Sequence, residues 1–328
     1  MHLTLRHFEL VQAVHSHGSI TLAAKVLGMS QPALSRAVRG LEEQIGGKLF
    51  ETREGKLIAT ALAEVFIKRH ETLRIPLEEI LNDIDHLKTT LRGKIVLGTG
   101  MFAPFLSVCP AIAQLQQTNA ALTFELIERD WRDIMVALLS GRIDIGIIDV
   151  SAAEENNQLA IEKLPPHACG IFVRKDHPLT TKRKVTTADL SRFPYCGTYP
   201  SRWAIERAGS HSTVFGTKTN GSQSMAAPII THTLGAAHRM IISSNAFGIF
   251  PRVLLHQKES RGLSEGLSRL NVPELDWLST NYGMIWRRSR PPGPALDAFM
   301  SQLRKVEAAL VKEEARLAIP PPRLTTIR

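Results

Sequence analysis

The stretch SITLAAKVLGMSQPALSRAVRGL, residues 19–41, carries two short helical patterns joined by a tight turn. Ser19 stands where a cap is needed for the first, in which Leu22, Ala23, Val26 and Leu27 recur on one side at helical spacing. Gly28 stops that pattern. Ser30 opens the second, with Pro32 in the first turn, where a missing N–H leaves nothing unsatisfied. Leu34, Val38, Leu41 and Ile45 form its apolar stripe, which leaves Gln31, Pro32, Ala33, Ser35, Arg36 and Arg39 on the leading end and open face. Short hydrogen-bonding side chains and arginines at the front of a compact helix suit the edges of bases in a DNA major groove. Ser30 and these six residues are therefore the expected reading set.

Working outward, Leu5, Phe8, Val11 and Val14 predict a first helix that packs across the pair and ends at residues 15–18. Gly46-Gly47 closes the second helix of the motif, and residues 48–60 read as a hairpin around Glu54-Gly55-Lys56, a wing. The whole run AAKVLGMSQPALSRAVRGLEEQIGGKLFE resembles the start of LysR-type bacterial transcriptional regulators. The resemblance rests on Ala23-Ala24, on SQPALS at residues 30–35, on Leu41-Glu42 and on Leu49-Phe50. It implies a wing lying against the DNA backbone or minor groove, for which Lys48, Arg53 and Lys56 have the right chemistry. The chain departs from the family at Thr52, where an arginine is common; here the arginine is one residue later, Arg53.

From residue 61 the sequence turns strongly helical, with Leu73, Leu77, Ile80, Ile84, Leu87 and Leu91 alternating spacings of four and three and Phe66 one heptad before Leu73. This is a coiled-coil seam of nearly three heptads, read as a dimerisation helix at residues 61–91. Pro76 predicts a kink or locally broken turn within it. The resemblance implies the same pairing of two DNA-binding units, and beyond it a homotetramer built as a dimer of dimers.

After Arg92-Gly93 the pattern becomes strand, helix, strand, helix, strand: 94–98, about 103–117, 122–127, 129–140 and 143–148. That order indicates a parallel sheet with right-handed crossovers. A second αβ region begins past about residue 165, with strands expected at 169–174, 195–199 and 247–251, a helix at 229–243, and a return through 270–272, the strand 282–286 and the helix 294–310. Segments LLSGRIDI (138–145), NAFGIFP (245–251) and PALDAFMSQL (294–303) extend the resemblance to the family's two-lobed effector-binding domain, itself similar to periplasmic binding proteins. The fold class is thus α+β: a winged helix-turn-helix at 1–60, a long linker helix, and a two-lobed α/β effector-binding domain at 92–312. Its first lobe is expected at about 92–163 and 271–312 and its second at about 164–270, with a flexible tail at 313–328.

In open αβ sheets ligands sit at the carboxyl ends of strands, so Asp149, Thr198, Ser201 and Asn220 are candidate effector-binding residues. Thr99, Gly100, Met101 and Phe102 join them, because a helix N-terminus following a strand suits an anionic group. The same segment, residues 98–103, fits GxGxxA, so a nicotinamide-dependent enzyme is the alternative. Against it stand Pro104 at the helix start and the DNA-binding module ahead of it. No GxSxG, HExxH or Walker lysine loop occurs, so neither catalytic residues, nor a metal site, nor a cofactor is expected beyond a small-molecule effector.

Of the 328 residues 44% are apolar and 22% charged, the balance of an ordinary soluble protein. No run of about eighteen apolar residues and no signal peptide is found, so a cytoplasmic protein is expected. Cys109, Cys169 and Cys196 are too widely spaced for a disulfide framework or a CxxC metal site. The net charge of +9 does not locate the DNA-binding part: residues 1–92 hold 12 Lys+Arg against 11 Asp+Glu, and the rest of the chain 28 against 20. The placement of individual side chains, not bulk charge, carries that inference.

Overall fold

The computed structural model describes residues 3–53, 56–86, 93–151, 153–215, 228–256 and 261–319, with the backbone alone at 53, 56, 71, 74–79, 81–86 and 261. The chain divides into two units, Met1–Lys88 and Thr89–Arg328.

In the first unit, α1 (Leu5–His17), α2 (Ile20–Val26) and α3 (Gln31–Ile45) precede a hairpin of β1 (Phe50–Arg53) and β2 (Lys56–Ala59), and α4 (Ala61–His86) follows. The caps are those the side chains dictate: Ser19 Oγ accepts the Leu22 N–H at 3.5 Å and Ser30 Oγ that of Ala33 at 3.3 Å. Gly46 ends α3 with φ +75°, a left-handed turn that a Cβ would strain. Leu34, Val38 and Leu41 are buried as expected, packed with Leu10, Val11 and Val14 of α1.

Three expectations need correcting in this unit. Leu22 and Val26 are 54% and 65% exposed. A seven-residue helix buries only a narrow strip, and here the strip is Ala23 and Ala24, small enough to let α2 approach Leu34 and Val38 closely. Phe66 is not on a free seam: it is 5% exposed in the core with Val11, Leu41, Leu49 and Ala63, its ring 4.8 Å from that of Phe8. A heptad match cannot tell an intramolecular partner from an intermolecular one. Finally, of the kink or broken turn expected at Pro76, the broken turn is not formed: α4 stays helical across that residue, since a proline removes a single backbone donor.

The second unit opens with β3 (Gly93–Thr99), a π-turn at Pro104–Val108, α5 (Cys109–Thr118), β4 (Leu122–Glu128), α6 (Trp131–Leu139) and β5 (Ile145–Asp149). Strand β3 lies between β4 and β5 and parallel to both. Next come β6 (Leu159–Lys163), β7 (Cys169–Arg174), α7 (Thr187–Leu190), β8 (Cys196–Gly197), α8 (Arg202–Ala208), β9 (Ile229–Ile230), α9 (Leu234–Ile242) and β10 (Gly248–Pro251). Then α10 (Arg261–Ser264) and β11 (Leu267–Leu270) lead to β12 (Tyr282–Arg287) and α11 (Pro294–Arg316). The first lobe is a five-stranded sheet, β4-β3-β5-β12-β6, whose last two strands run antiparallel to their neighbours. The second is an antiparallel sheet β10-β7-β11 beside the parallel pair β8-β9.

The strand expected at 195–199 is shortened to Cys196–Gly197, and the helix expected at 229–243 is shortened to Leu234–Ile242, with β9 in its first two positions and Thr233 as its cap. The tail expected at 313–328 does not begin at 313. α11 continues to Arg316 because Glu314 is buried against His167; residues 320–328 lie outside the described residues.

The chain crosses between the lobes twice, side by side, with an isolated bridge from Ala168 to Ser279. The Thr280 N–H donates to His167 O at 2.9 Å and the His167 N–H to Thr280 Oγ1 at 2.9 Å. Beneath this crossing His167 Nε2 lies 2.9 Å from Glu307 Oε2 and Nδ1 3.0 Å from Glu314 Oε2, while the Tyr282 hydroxyl donates to Glu307 Oε1 at 2.6 Å. His167 and Glu307 are fully buried.

Candidate DNA-reading face and effector cavity

On α3 the stripe of Leu34, Val38 and Leu41 turns the opposite face outward. Ser30, Gln31, Pro32, Arg36 and Arg39 are exposed, and Ala33 and Ser35 half-buried. Arg39 lies back along the helix, its Nε donating to Ser35 O at 3.3 Å and Nη2 to Ser35 Oγ at 3.4 Å. That draws its charge toward the leading end. Arg36 has no ion-pair partner among the described residues.

Lys48 is partly committed within the fold, 2.9 Å from Glu42, whose other oxygen accepts the Leu49 N–H at 2.8 Å. Glu42, buried in the last turns of α3, thus ties the recognition helix to the start of the wing. Arg53 and Lys56 face each other across the hairpin register, and the tip residues Glu54 and Gly55 lie outside the described residues. On α4, Leu73 and Ile80, one heptad apart, are 42% and 54% exposed. For Leu77 and Ile84 the backbone is helical, and Leu87 and Leu91 lie outside the described residues.

In the second unit a cavity of about 160 Å³ opens where the two lobes meet. The first lobe contributes the loop after β3 and the end of β5, including Gly100, Met101, Phe102 and Asp149; the second contributes Thr198 and Ser201. Six expected effector-binding residues, far apart in sequence, therefore share one cavity. Thr99 does not line it and is fully buried; Asn220 lies outside the described residues.

Aromatic residues supply much of the remaining wall, among them Trp131, Tyr195, Tyr199, Trp203 and Tyr282, together with the crossing residues Ser279, Thr280 and Asn281. Sequence reading missed these. The aromatic residues carry no local signal, and their membership depends on which loops the sheets bring together.

Asp149 sits at the end of β5 as the order of strands dictates. Its Oδ1 accepts the Ser151 N–H at 2.9 Å and the Ser151 hydroxyl. Burial pushes its carboxyl above the ordinary aspartate value, hydrogen bonds from Ser151 and Ser201 pull it partly back, and nearby Glu154 adds to the rise. The Gly100 N–H, expected to face an anion, donates instead to Ile147 O at 3.2 Å. Gly98 is required by packing, since a Cβ there would come within 2.6 Å of Ile143 and 2.8 Å of Ile134. That explains the first glycine of GxGxxA without a dinucleotide. The Trp131 indole N–H is buried with no partner among the described residues. Cys169, also in the wall, is pushed up to about 12 by burial, so its thiol stays protonated and unreactive.

An exposed polar face on the second helix of a winged helix-turn-helix, followed by a two-lobed αβ unit with a cavity at its strand ends, defines the class of regulators that join a DNA-binding module to a ligand-binding one. Residues 5–64 match the family described as "Bacterial regulatory helix-turn-helix protein, lysR family", and residues 88–308 match "LysR substrate binding domain". The chain belongs to the LysR family of transcriptional regulators.

It is 31% identical to the HTH-type transcriptional regulator CbbR of Xanthobacter flavus over 194 residues, 58% of this chain and 57% of that one. It is 23% identical to the uncharacterized HTH-type transcriptional regulator YnfL of Escherichia coli over 92% of this chain and 98% of that one. The match spans less than two thirds of the length of several such regulators, CbbR among them. Its fold is similar to that of full-length CbnR in complex with its target DNA, with a TM-score of 0.62 at 17% identity over 93% of this chain and 100% of that one. These families are regulators, and the nicotinamide reading finds no support in them. Among the described residues no helix is long and apolar enough to cross a membrane.

Proposed function

We propose that this chain is a sequence-specific DNA-binding transcriptional regulator of the cytoplasm, and that a small-molecule effector in the cavity between its C-terminal lobes controls its hold on DNA. The observation that carries the proposal is a cavity walled by both lobes and by the crossings that join them. A ligand there touches every part whose relative position sets the conformation of the unit, so its binding energy favours one lobe arrangement over others. The exposed seam positions Leu73 and Ile80 support a homodimer through α4, and family membership supports assembly to a tetramer. Two recognition helices held at a set separation would read two half-sites of double-stranded DNA.

The test is DNA binding by gel shift and footprinting on genomic fragments. Gln31→Ala and Arg36→Ala each weaken binding to the specific site by about 1 to 3 kcal/mol, the worth of one good base contact. Lys56→Ala instead weakens binding to all sequences and reduces the salt slope by about 0.9. Unchanged footprints for both recognition-helix variants would refute the assignment of that face.

A further inference from the structure

The residues of the cavity wall specify the kind of molecule it accepts. Among the described side chains that line it, Asp149 is the sole carboxyl group, and no lysine, arginine or histidine is among them. Two cations beside wall residues are already engaged. Arg132 lies 2.6 Å from Asp130 and stacks over Tyr199 at 4.1 Å, and Arg202 is paired with Glu206 at 2.7 Å and Glu155 at 2.9 Å. The Gly100 N–H is spent on Ile147. Among the described residues, an anionic ligand would therefore enter beside a carboxylate with no countercharge in the wall to meet it.

The size suits a single ring. At about 160 Å³ the cavity is close to the roughly 150 Å³ that accommodates a benzene ring in an apolar protein interior. Phe102, Trp131, Trp203 and Phe215 offer flat apolar surface to such a ring.

We infer that the effector is a small arylalkyl amine with a single ring, its ring held among these aromatic side chains and its ammonium group set against the Asp149 carboxylate. This rests on reading the cavity as the effector site. Physically, the carboxylate has lost part of its solvation by burial, and a cation beside it restores favourable charge interaction where water cannot. A neutral ring of the same size gains the apolar contact alone, and an acid is repelled.

The experiment titrates the full chain with 2-phenylethylamine, 2-phenylethanol and phenylacetate, following quenching of Trp131 and Trp203 and confirming by calorimetry. The amine is expected to bind at least tenfold tighter than the alcohol, and the acid weakest. In Asp149→Asn, whose amide oxygen can still accept the Ser151 N–H, the amine falls to the affinity of the alcohol, and a cooperative urea transition followed by tryptophan fluorescence shows that the unit is folded. Acid binding as tightly as the amine, or amine affinity unchanged in Asp149→Asn, overturns the charge assignment and leaves the cavity an effector site. Binding of none of the three overturns the proposed ligand class. Whether the chain is a DNA-binding regulator is decided separately by its footprint.

Discussion

Replacing His167 by glutamine tests the buried network under the lobe crossing. In the native unit burial works against protonation of His167, but hydrogen bonds to Glu307 and Glu314, reinforced by their charges, overcome it and raise its pKa from 6.5 to about 9. A group whose folded pKa is raised contributes stability that is fully present below its unfolded value, here 6.5, and lost as pH rises through about 9. The gap is worth on the order of 3 kcal/mol at 1.36 kcal/mol per pH unit. Near pH 6.5 the variant should be less stable than wild type by about 3 kcal/mol or more, since it also leaves two carboxylates, Glu307 and Glu314, without a cation. By pH 9 the imidazolium's share of that difference has shrunk by about 2 to 3 kcal/mol. All four tryptophans, Trp131, Trp203, Trp277 and Trp286, belong to the second unit, so their fluorescence in urea reports its unfolding in the intact chain. With a slope of about 3 kcal/mol/M the midpoints should differ by about 1 M at pH 6.5 and converge toward pH 9. Curves for wild type and variant that stay parallel across this window would refute the protonated-histidine reasoning.

Two further outcomes concern features apart from that network. Leu73→Glu combined with Ile80→Glu places charge on two exposed positions of α4 and should lower the oligomeric state of the chain in sedimentation velocity while leaving tryptophan fluorescence unchanged; an unaltered sedimentation coefficient would remove α4 from the proposed interface. All three thiols are raised, Cys169 to about 12, Cys196 to about 11, both by burial, and Cys109 by burial and Glu128. Iodoacetamide at pH 8 should therefore modify at most the exposed Cys109 in the native chain and reach Cys169 and Cys196 only in urea, as mass spectrometry would show.

Much of the first unit is legible from sequence because its determinants are local. Ser19 and Ser30 cap helices three residues away, Gly46 ends one by its own backbone freedom, and the α3 stripe is a periodicity within fifteen residues. The alternation of strands and helices from residue 93 to 149 is local in the same sense, and it places Asp149 at a strand end before any contact is known. What sequence cannot supply is which surface a pattern meets. Leu22 and Val26 show helical spacing yet face outward, and Phe66 keeps the heptad yet is used inside its own unit, because each periodicity is compatible with more than one partner. The cavity and the buried histidine were decided only by tertiary structure. Asp149, Tyr199 and Thr280 meet across two lobes, and His167 meets carboxylates 140 and 147 residues away. Side-chain charge and burial act through space, and no spacing along the chain encodes a distance that two sheets and their crossings must first create.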